Sequence, residues 1–281
     1  MKRERAVARR IIISIIVTLV ALSVARRVST RRPIDASIER DGVVMHHRTV
    51  TEQVGPGEPL LSVTAEPESG SEAVVEFGRP GVGGFQRIRM EHVGGGRYDA
   101  RLPDLGKGAR WKYAIAVIRS DGASIRLPEN PEKYFLIKFK GTASKVVLAS
   151  HVLFMFGSFF CMVLGFLGAI RILKGLEGKQ STVKAGRWVL LLSFIGGWPL
   201  GFVLNYQTFG VLWEGYPFGY DITDNKTQLM FILWLVSLLL VRGSLFGRGE
   251  DTDLLGARAF AWAIVASFIA SFALFILPHS I

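Results

Sequence analysis

A chain of 281 residues with 49% apolar side chains, only 20% charged ones and a net charge of +11 is too apolar for a water-soluble protein unless the apolar residues are segregated. Its single cysteine, Cys161, excludes an internal disulfide and any cysteine-rich zinc or iron–sulfur centre built by one chain. No Walker-type glycine loop, HExxH, GxSxG or paired-cysteine motif occurs in the sequence, so the common soluble enzyme chemistries lack support and no catalytic residue is assigned.

Segregation is what the chain shows. Residues 11–25, 146–170, 188–204, 227–241 and 259–277 are almost free of charge, whereas 30–145 reads as a water-soluble stretch. The basic residues gather at the ends of the apolar runs, not on an aromatic-laced soluble face. They therefore read as orientation signals and not as a nucleic-acid footprint.

The N-terminus, "MKRERAVARR" followed by "IIISIIVTLVALSVA" and then Arg26-Arg27, fits either a signal peptide cleaved after Ser23-Val24-Ala25 or a retained signal anchor. Its 15 uncharged residues span only about 22 Å, less than the roughly 30 Å hydrocarbon core. Both readings put the next segment outside the cytoplasm.

From His46 to Lys140 short alternating runs are punctuated by Gly, Pro, Asp and Asn, which is the signature of antiparallel strands. About seven strands at this spacing suggest a sandwich. In "WKYAIAVIRSDG" the residues Trp111, Tyr113, Ile115 and Val117 share one face and read as the core side of a central strand. The stretch "GGGRYDARLPDLGKGARWKYAIAVIRSDGASIRLP", within residues 50–140, resembles the immunoglobulin-like and fibronectin type III-like sandwiches of bacterial envelope proteins. That resemblance implies a fold and an adhesive or positioning role; the paired cysteines of antibody domains are missing. His46 and His47 fall on opposite faces of a strand and cannot chelate together, so these and His92 read as surface or edge histidines. "KYFLIKFKGTASKVVLASH" leads into the first apolar run with almost no linker.

Counting Lys and Arg orients the apolar runs. Residues 171–187 hold five, 242–258 hold three, and 205–226 hold only Lys226. The pattern predicts the N-terminus inside, 30–145 outside, four further helices and the C-terminus outside. The fold class expected is thus an integral membrane protein: an N-terminal signal anchor or signal peptide (1–29), an extracytoplasmic all-β Ig-like sandwich (30–145), and a four-transmembrane-helix domain (146–281). In a bacterium that is a multi-pass inner-membrane protein with a periplasmic domain.

Within the helices, Gly197 and Gly201 form a small-xxx-small pair around Pro199, which points to close packing and a kink. No Asp, Glu, Lys or Arg lies deep inside a run, which argues against ion-coupled transport. His151 enters a run from the outer side, roughly 8 Å deep, with Met155 one turn further on the same face. It reads as a hydrogen-bonded interfacial histidine or, alternatively, as an axial ligand to haem or a metal ligand, with His279 on the same outer face. Between two runs, "FGVLWEGYPFGYDITDNKTQ" packs three acids, a lysine and five aromatics into residues 209–228. Asp224 or Asn225 is expected to N-cap the helix beginning near Lys226, with Asn225 and Gln228 as a capping box. Trp213, Tyr216, Phe218 and Tyr220 suit the headgroup level, and Trp213, Glu214, Tyr216, Asp221, Asp224, Asn225 and Lys226 form the candidate outer-face docking set.

The leading expectation is a non-enzymatic subunit, scaffold or sensor of an envelope complex, in contact with lipid and with membrane or periplasmic protein partners. A haem- or metal-binding redox subunit using His151 and His279 is the alternative, and a small channel or transporter using the Pro199 kink is a further one.

Overall fold

The computed structural model describes residues 2–29, 32–67, 72–81 and 84–277, with Lys2, Arg3 and Ser29 described by their backbone alone. The chain runs through helix α1 (Lys2–Ser29), eleven strands, and then six helices: α2 (Lys145–Leu173), α3 (Gln180–Ile195), α4 (Gly201–Phe209), α5 (Ile222–Leu239), α6 (Arg242–Phe246) and α7 (Ala257–Ile276). These elements form two compact units. One comprises Met1–Thr30, Ala143–Tyr206 and Val211–Ile281; the other comprises Arg31–Thr142 with Gln207–Gly210.

The strands are β1 (Asp35–Arg40), β2 (Val43–Arg48), β3 (Glu52–Val54), β4 (Leu60–Glu66), β5 (Glu72–Gly78), β6 (Gln86–Arg89), β7 (Glu91–Gly94), β8 (Arg97–Arg101), β9 (Arg110–Ile118), β10 (Ser124–Leu127) and β11 (Phe135–Lys140). One sheet has the order β1-β2-β4-β8-β7 and the other β3-β11-β9-β5-β6, with β10 also pairing β9. Every pair is antiparallel except β3 with β11. About seven strands were expected; the structure adds the six-residue strands β1 and β2 and the three-residue β3 before them, and divides "FQRIRMEHVGGG" into β6 and β7, each of four residues and too short to carry a period.

The core of this unit comes from the inward positions of both sheets, among them Met45, Leu61, Val63, Val75, Phe77, Tyr113, Ile115 and Ile137. Trp111, Tyr113, Ile115 and Val117 are all buried, and so are Ala114 and Ala116, so β9 is covered on both faces. Small alanines on the second face are what let a covered strand fit. His47, expected at the surface, is only 2% exposed. Alternation explains this, because Val43, Met45 and His47 occupy one face of β2. Its Nδ1–H donates to the Ser62 carbonyl at 2.7 Å, the Tyr113 hydroxyl donates to its Nε2 at 2.9 Å, and the Val50 N–H donates to the Tyr113 oxygen at 3.0 Å.

In the helical unit, α2 packs against α1, α3 and α7, and α5 packs against α3 and α7. Phe159, Met162, Val163, Ala169, Trp234, Phe260 and Ile264 fill its centre. Gly165 is where the Trp234 ring enters: a Cβ there would lie 3.0 Å from Cη2. Trp234 Nε1–H donates to Ser271 Oγ at 3.2 Å, and the Ser237 and Ser267 hydroxyls are 2.9 Å apart, so α5 and α7 are joined by hydrogen bonds as well as by packing.

The expected plan, a terminal signal segment, then the sheets, then a separate four-helix bundle, requires correction. The order is helix, sheet, helices, and α1 is part of the helical unit that the later helices complete. Ala21 and Ala25 of α1 enter the apolar core of that unit, and a long-range pair adds to this: the Arg10 guanidinium holds Glu177 at 2.9 Å and also donates to the Leu164 carbonyl at 3.2 Å. Among the described residues, the four helices long and apolar enough to cross a membrane are Glu4–Val28, Lys145–Leu173, Gln180–Phe209 and Ala257–Ile276. They include α1 and leave out α5, whose first turn is polar (Thr223, Asp224, Asn225, Lys226).

Candidate functional site

Charged groups of the helical unit collect at its two ends. At one end meet the start of α1, the α2–α3 connection and the α5–α7 connection. Glu177 accepts from Arg10, from Arg171 Nε at 2.7 Å and from Ser181 Oγ at 3.1 Å. Burial opposes its charge, but the Arg171 hydrogen bond and the nearby Arg10 outweigh that and hold the carboxyl below its ordinary value. Lys179 Nζ lies 2.5 Å from Asp253 and 3.3 Å from Glu250, while Asp253 also accepts the Ser244 N–H at 2.8 Å and its hydroxyl. Lys179 and Asp253 are almost fully buried. Burial disfavours both charges, yet their mutual contact raises the lysine and lowers the carboxyl. Arg187 donates to the Ser244 carbonyl at 3.1 Å and to that of Leu245, filling carbonyls that a helix end leaves open.

At the other end lies the segment singled out in the sequence. The cap expected at Asp224 or Asn225 is instead Asp221: it has extended geometry (φ −60°, ψ 125°) and accepts the N–H groups of Thr223 and Asp224. The helix therefore starts at Ile222, one turn before Lys226. Asp224 and Asn225 are released for another task. The buried Asp224 carboxylate accepts the Glu214 N–H at 2.8 Å and the Asn205 amide at 3.2 Å, and Asn225 Oδ1 accepts the Tyr216 N–H at 2.7 Å. Lys226 is buried and donates to the Leu277 carbonyl at 2.8 Å, placing a cation at the C-terminal end of α7, where the helix dipole favours it. Trp213 stacks on Trp198 with centroids 6.0 Å apart and meets Phe202 edge-on at 5.7 Å.

The Pro199 kink is a π-helical turn over Gly196–Leu200. Proline supplies no N–H, so the ladder shifts register there. His151 Nδ1–H donates to the Gly196 carbonyl at 2.9 Å. Because a carbonyl only accepts, this bond places the proton on Nδ1 and the lone pair on Nε2. A Cβ at Gly197 would lie 2.7 Å from Thr227 Cγ2 and one at Gly196 2.9 Å from Met155 Sδ, so these two glycines, not Gly201, set the approach of α5 and α2. His279 lies outside the described residues. Among the described residues no three His, Cys, Asp or Glu side chains converge as a metal set. In the sheet unit, an open groove runs along β1, β2 and β4, lined by Asp35, His46, Arg48, Ser62, Thr64 and Arg97.

Sequence reasoning missed Asn205, Lys179, Asp253, Glu177 and Arg10. Their spacing in sequence carries no signal, since each partner lies on a different element.

No protein-family model matches the chain, and no curated protein does. Among solved structures, murine CRIg is similar at 10% identity over 39% of this chain and 97% of that one, with a TM-score of 0.21. A β-1,2-glucanase from Parabacteroides distasonis is similar at 8% identity over 85% of this chain, with a TM-score of 0.25; the chain spans 34% of that enzyme's length. The likeness of CRIg's Ig-like domain is weak, and with TM-scores this low neither structure bears on what the chain does.

Proposed function

We propose that the chain is an integral membrane subunit that holds its β-sheet unit on the side of the bilayer opposite the basic helix ends and acts by binding, as a scaffold or sensor within an envelope assembly. The observation that carries this reading is the surface of the helical unit. Leu153 is 70% exposed, Trp262 61% and Ile269 60%, and Ile12, Ile16 and Phe194 each more than half, whereas the ion pairs of Glu177 and Lys179 lie at the end where α1 starts. Apolar surface of that extent is a liability in water and a requirement in lipid. The Lys and Arg residues of 171–187 and 242–258 belong to the end where α1 starts, which supports an inside location for that end.

The orientation is tested with single cysteines in a Cys161→Ala chain. Glu91→Cys in intact cells should react with a membrane-impermeant maleimide, and Leu176→Cys only after permeabilisation; the opposite pattern refutes the reading. The subunit claim is tested by native electrophoresis after mild extraction, where a single-chain species alone would reject it.

A second reading, a haem- or metal-binding redox subunit, is favoured by the His151 tautomer. An Nδ1–H held by a backbone carbonyl with Nε2 left as lone pair is the arrangement of ligating histidines. A visible absorbance band or stoichiometric metal in the purified protein, lost in His151→Ala, would establish it; a colourless, metal-free preparation would remove it.

A further inference from the structure

The loop Val211–Asp221 exposes rings that nothing in the helical unit covers: Tyr216 is 65% exposed, Phe218 83% and Tyr220 90%, with Leu212 at 56% beside them. An apolar tip of this kind in water is ordinarily mobile, but here the backbone is closed on itself. Phe218 and Gly219 donate to the Gly215 carbonyl at 2.9 and 3.0 Å, and Asp221 donates to the Glu214 carbonyl at 2.8 Å. From outside the loop, Asp224 and Asn225 accept the N–H groups of Glu214 and Tyr216. Gly219 is required for the winding, since a Cβ there would sit 2.4 Å from the Glu214 carbonyl oxygen. The tip thus shows side-chain apolar surface while the N–H groups of Glu214, Tyr216, Phe218, Gly219 and Asp221 are paired within the protein, as a lipid environment favours.

The rings also continue an apolar surface. Phe194, half exposed on α3, stacks on Trp198 at 5.9 Å; Trp198 stacks on Trp213, and Trp213 meets Phe202 of α4. An aromatic run therefore leads from the outward flank of α3 and α4 into the loop. At the loop the run is joined by further amphipathic rings, Tyr216 and Tyr220, both exposed. Amphipathic rings at the end of an apolar helix surface are what the headgroup level selects.

We propose that Val211–Asp221 is a preformed interfacial anchor, with Tyr216, Phe218 and Tyr220 seated among the phospholipid headgroups of the leaflet at the α5 N-terminal end. The anchor fixes the depth of the α4–α5 end of the helical unit. It rests on the membrane reading above. Asp221 and Asp224 do not oppose it, because the first caps α5 and the second is buried against Asn205 and Glu214.

The test places nitroxide labels on the full chain, with Cys161→Ala, in nanodiscs of phosphatidylethanolamine and phosphatidylglycerol. Collision of each label with oxygen and with a water-soluble nickel chelate is measured at Phe218→Cys, with Tyr220→Cys as a second position should the first misfold. Trp262→Cys on α7 and Glu91→Cys on the sheet unit serve as references. The anchor predicts a nickel-to-oxygen ratio at 218 several-fold below that at 91 and above that at 262. A label at 218 as open to nickel as that at 91, with 262 shielded, overturns the anchor and leaves the membrane reading standing. A label shielded from both reagents marks a protein contact and also overturns it. Nickel access at 262 overturns the membrane reading itself.

Discussion

The Tyr113 hydroxyl donates to Nε2 of His47 across 2.9 Å in the interior of the sheet unit, and both residues are almost fully buried. The chain of bonds has one consistent protonation. Nδ1 must carry a proton for the Ser62 carbonyl, Nε2 must be bare, and the tyrosine oxygen takes the Val50 N–H. A second proton on the ring would displace the tyrosine hydroxyl from its acceptor and leave a charge in the core.

Burial accordingly lowers the His47 pKa, although the bond to Ser62 works the other way. The unfolded chain takes up the proton near pH 6.5. The neutral ring's contribution to stability is therefore full above that pH, declines as the pH falls below it, and is lost once the lowered folded value is passed. Hydrogen exchange at the Val50 amide in the full chain, corrected for the intrinsic rate, should show opening become easier as the pH falls below about 6.5. A pH-independent opening would contradict the arrangement.

Tyr113→Phe keeps the ring but removes a hydroxyl that serves two buried partners, His47 and the Val50 amide. Each group left unsatisfied costs about 1–3 kcal/mol. The sheet unit's unfolding midpoint, followed by denaturant titration of the full chain in detergent, should fall well beyond the change produced by Tyr134→Phe, a half-buried tyrosine outside this chain of bonds.

Lys179 and Asp253 form a buried pair, and removing one member strands the other. Lys179→Met alone should destabilise the helical unit by roughly 3–5 kcal/mol, whereas removing both charges should recover much of that. A double-mutant cycle on thermal unfolding measures the coupling. Since the Asp253 carboxyl is lowered by its partners, its contribution is present above about pH 4 and is lost as the pH falls through the folded value.

Gly197→Ala and Gly196→Ala differ in what the new methyl meets. At 197 it strikes Thr227 Cγ2 at 2.7 Å, a branched side chain with little freedom; at 196 its nearest neighbour is Met155 Sδ at 2.9 Å, on a flexible chain that can give way, with Phe154 Cβ further off at 3.2 Å. The first should cost about 1–3 kcal/mol and the second distinctly less, read from the unfolding midpoints of the two variants.

Periodicity made β9 legible, because one face of Trp111, Tyr113, Ile115 and Val117 alternates cleanly. The same rule applied to Val43, Met45 and His47 would have buried the histidine. The cap of α5 was misassigned because Asp221, Asp224 and Asn225 all carry the right chemistry, and only backbone geometry chooses between them. The helix start moved back one turn, which gave Asp224 and Asn225 the loop to hold.

Hydropathy and alternation, being local, sufficed to separate apolar helices from strands and to place the basic residues at helix ends. Pairings across long sequence separations were decided by tertiary structure alone: α1 joined to the later helices through Arg10 and Glu177, 167 residues apart, Lys179 set against Asp253, and His47 against Tyr113. Such pairs have no signature along the chain, because what selects them is the cost of leaving a buried polar group without a partner, and that cost exists only once the elements have packed.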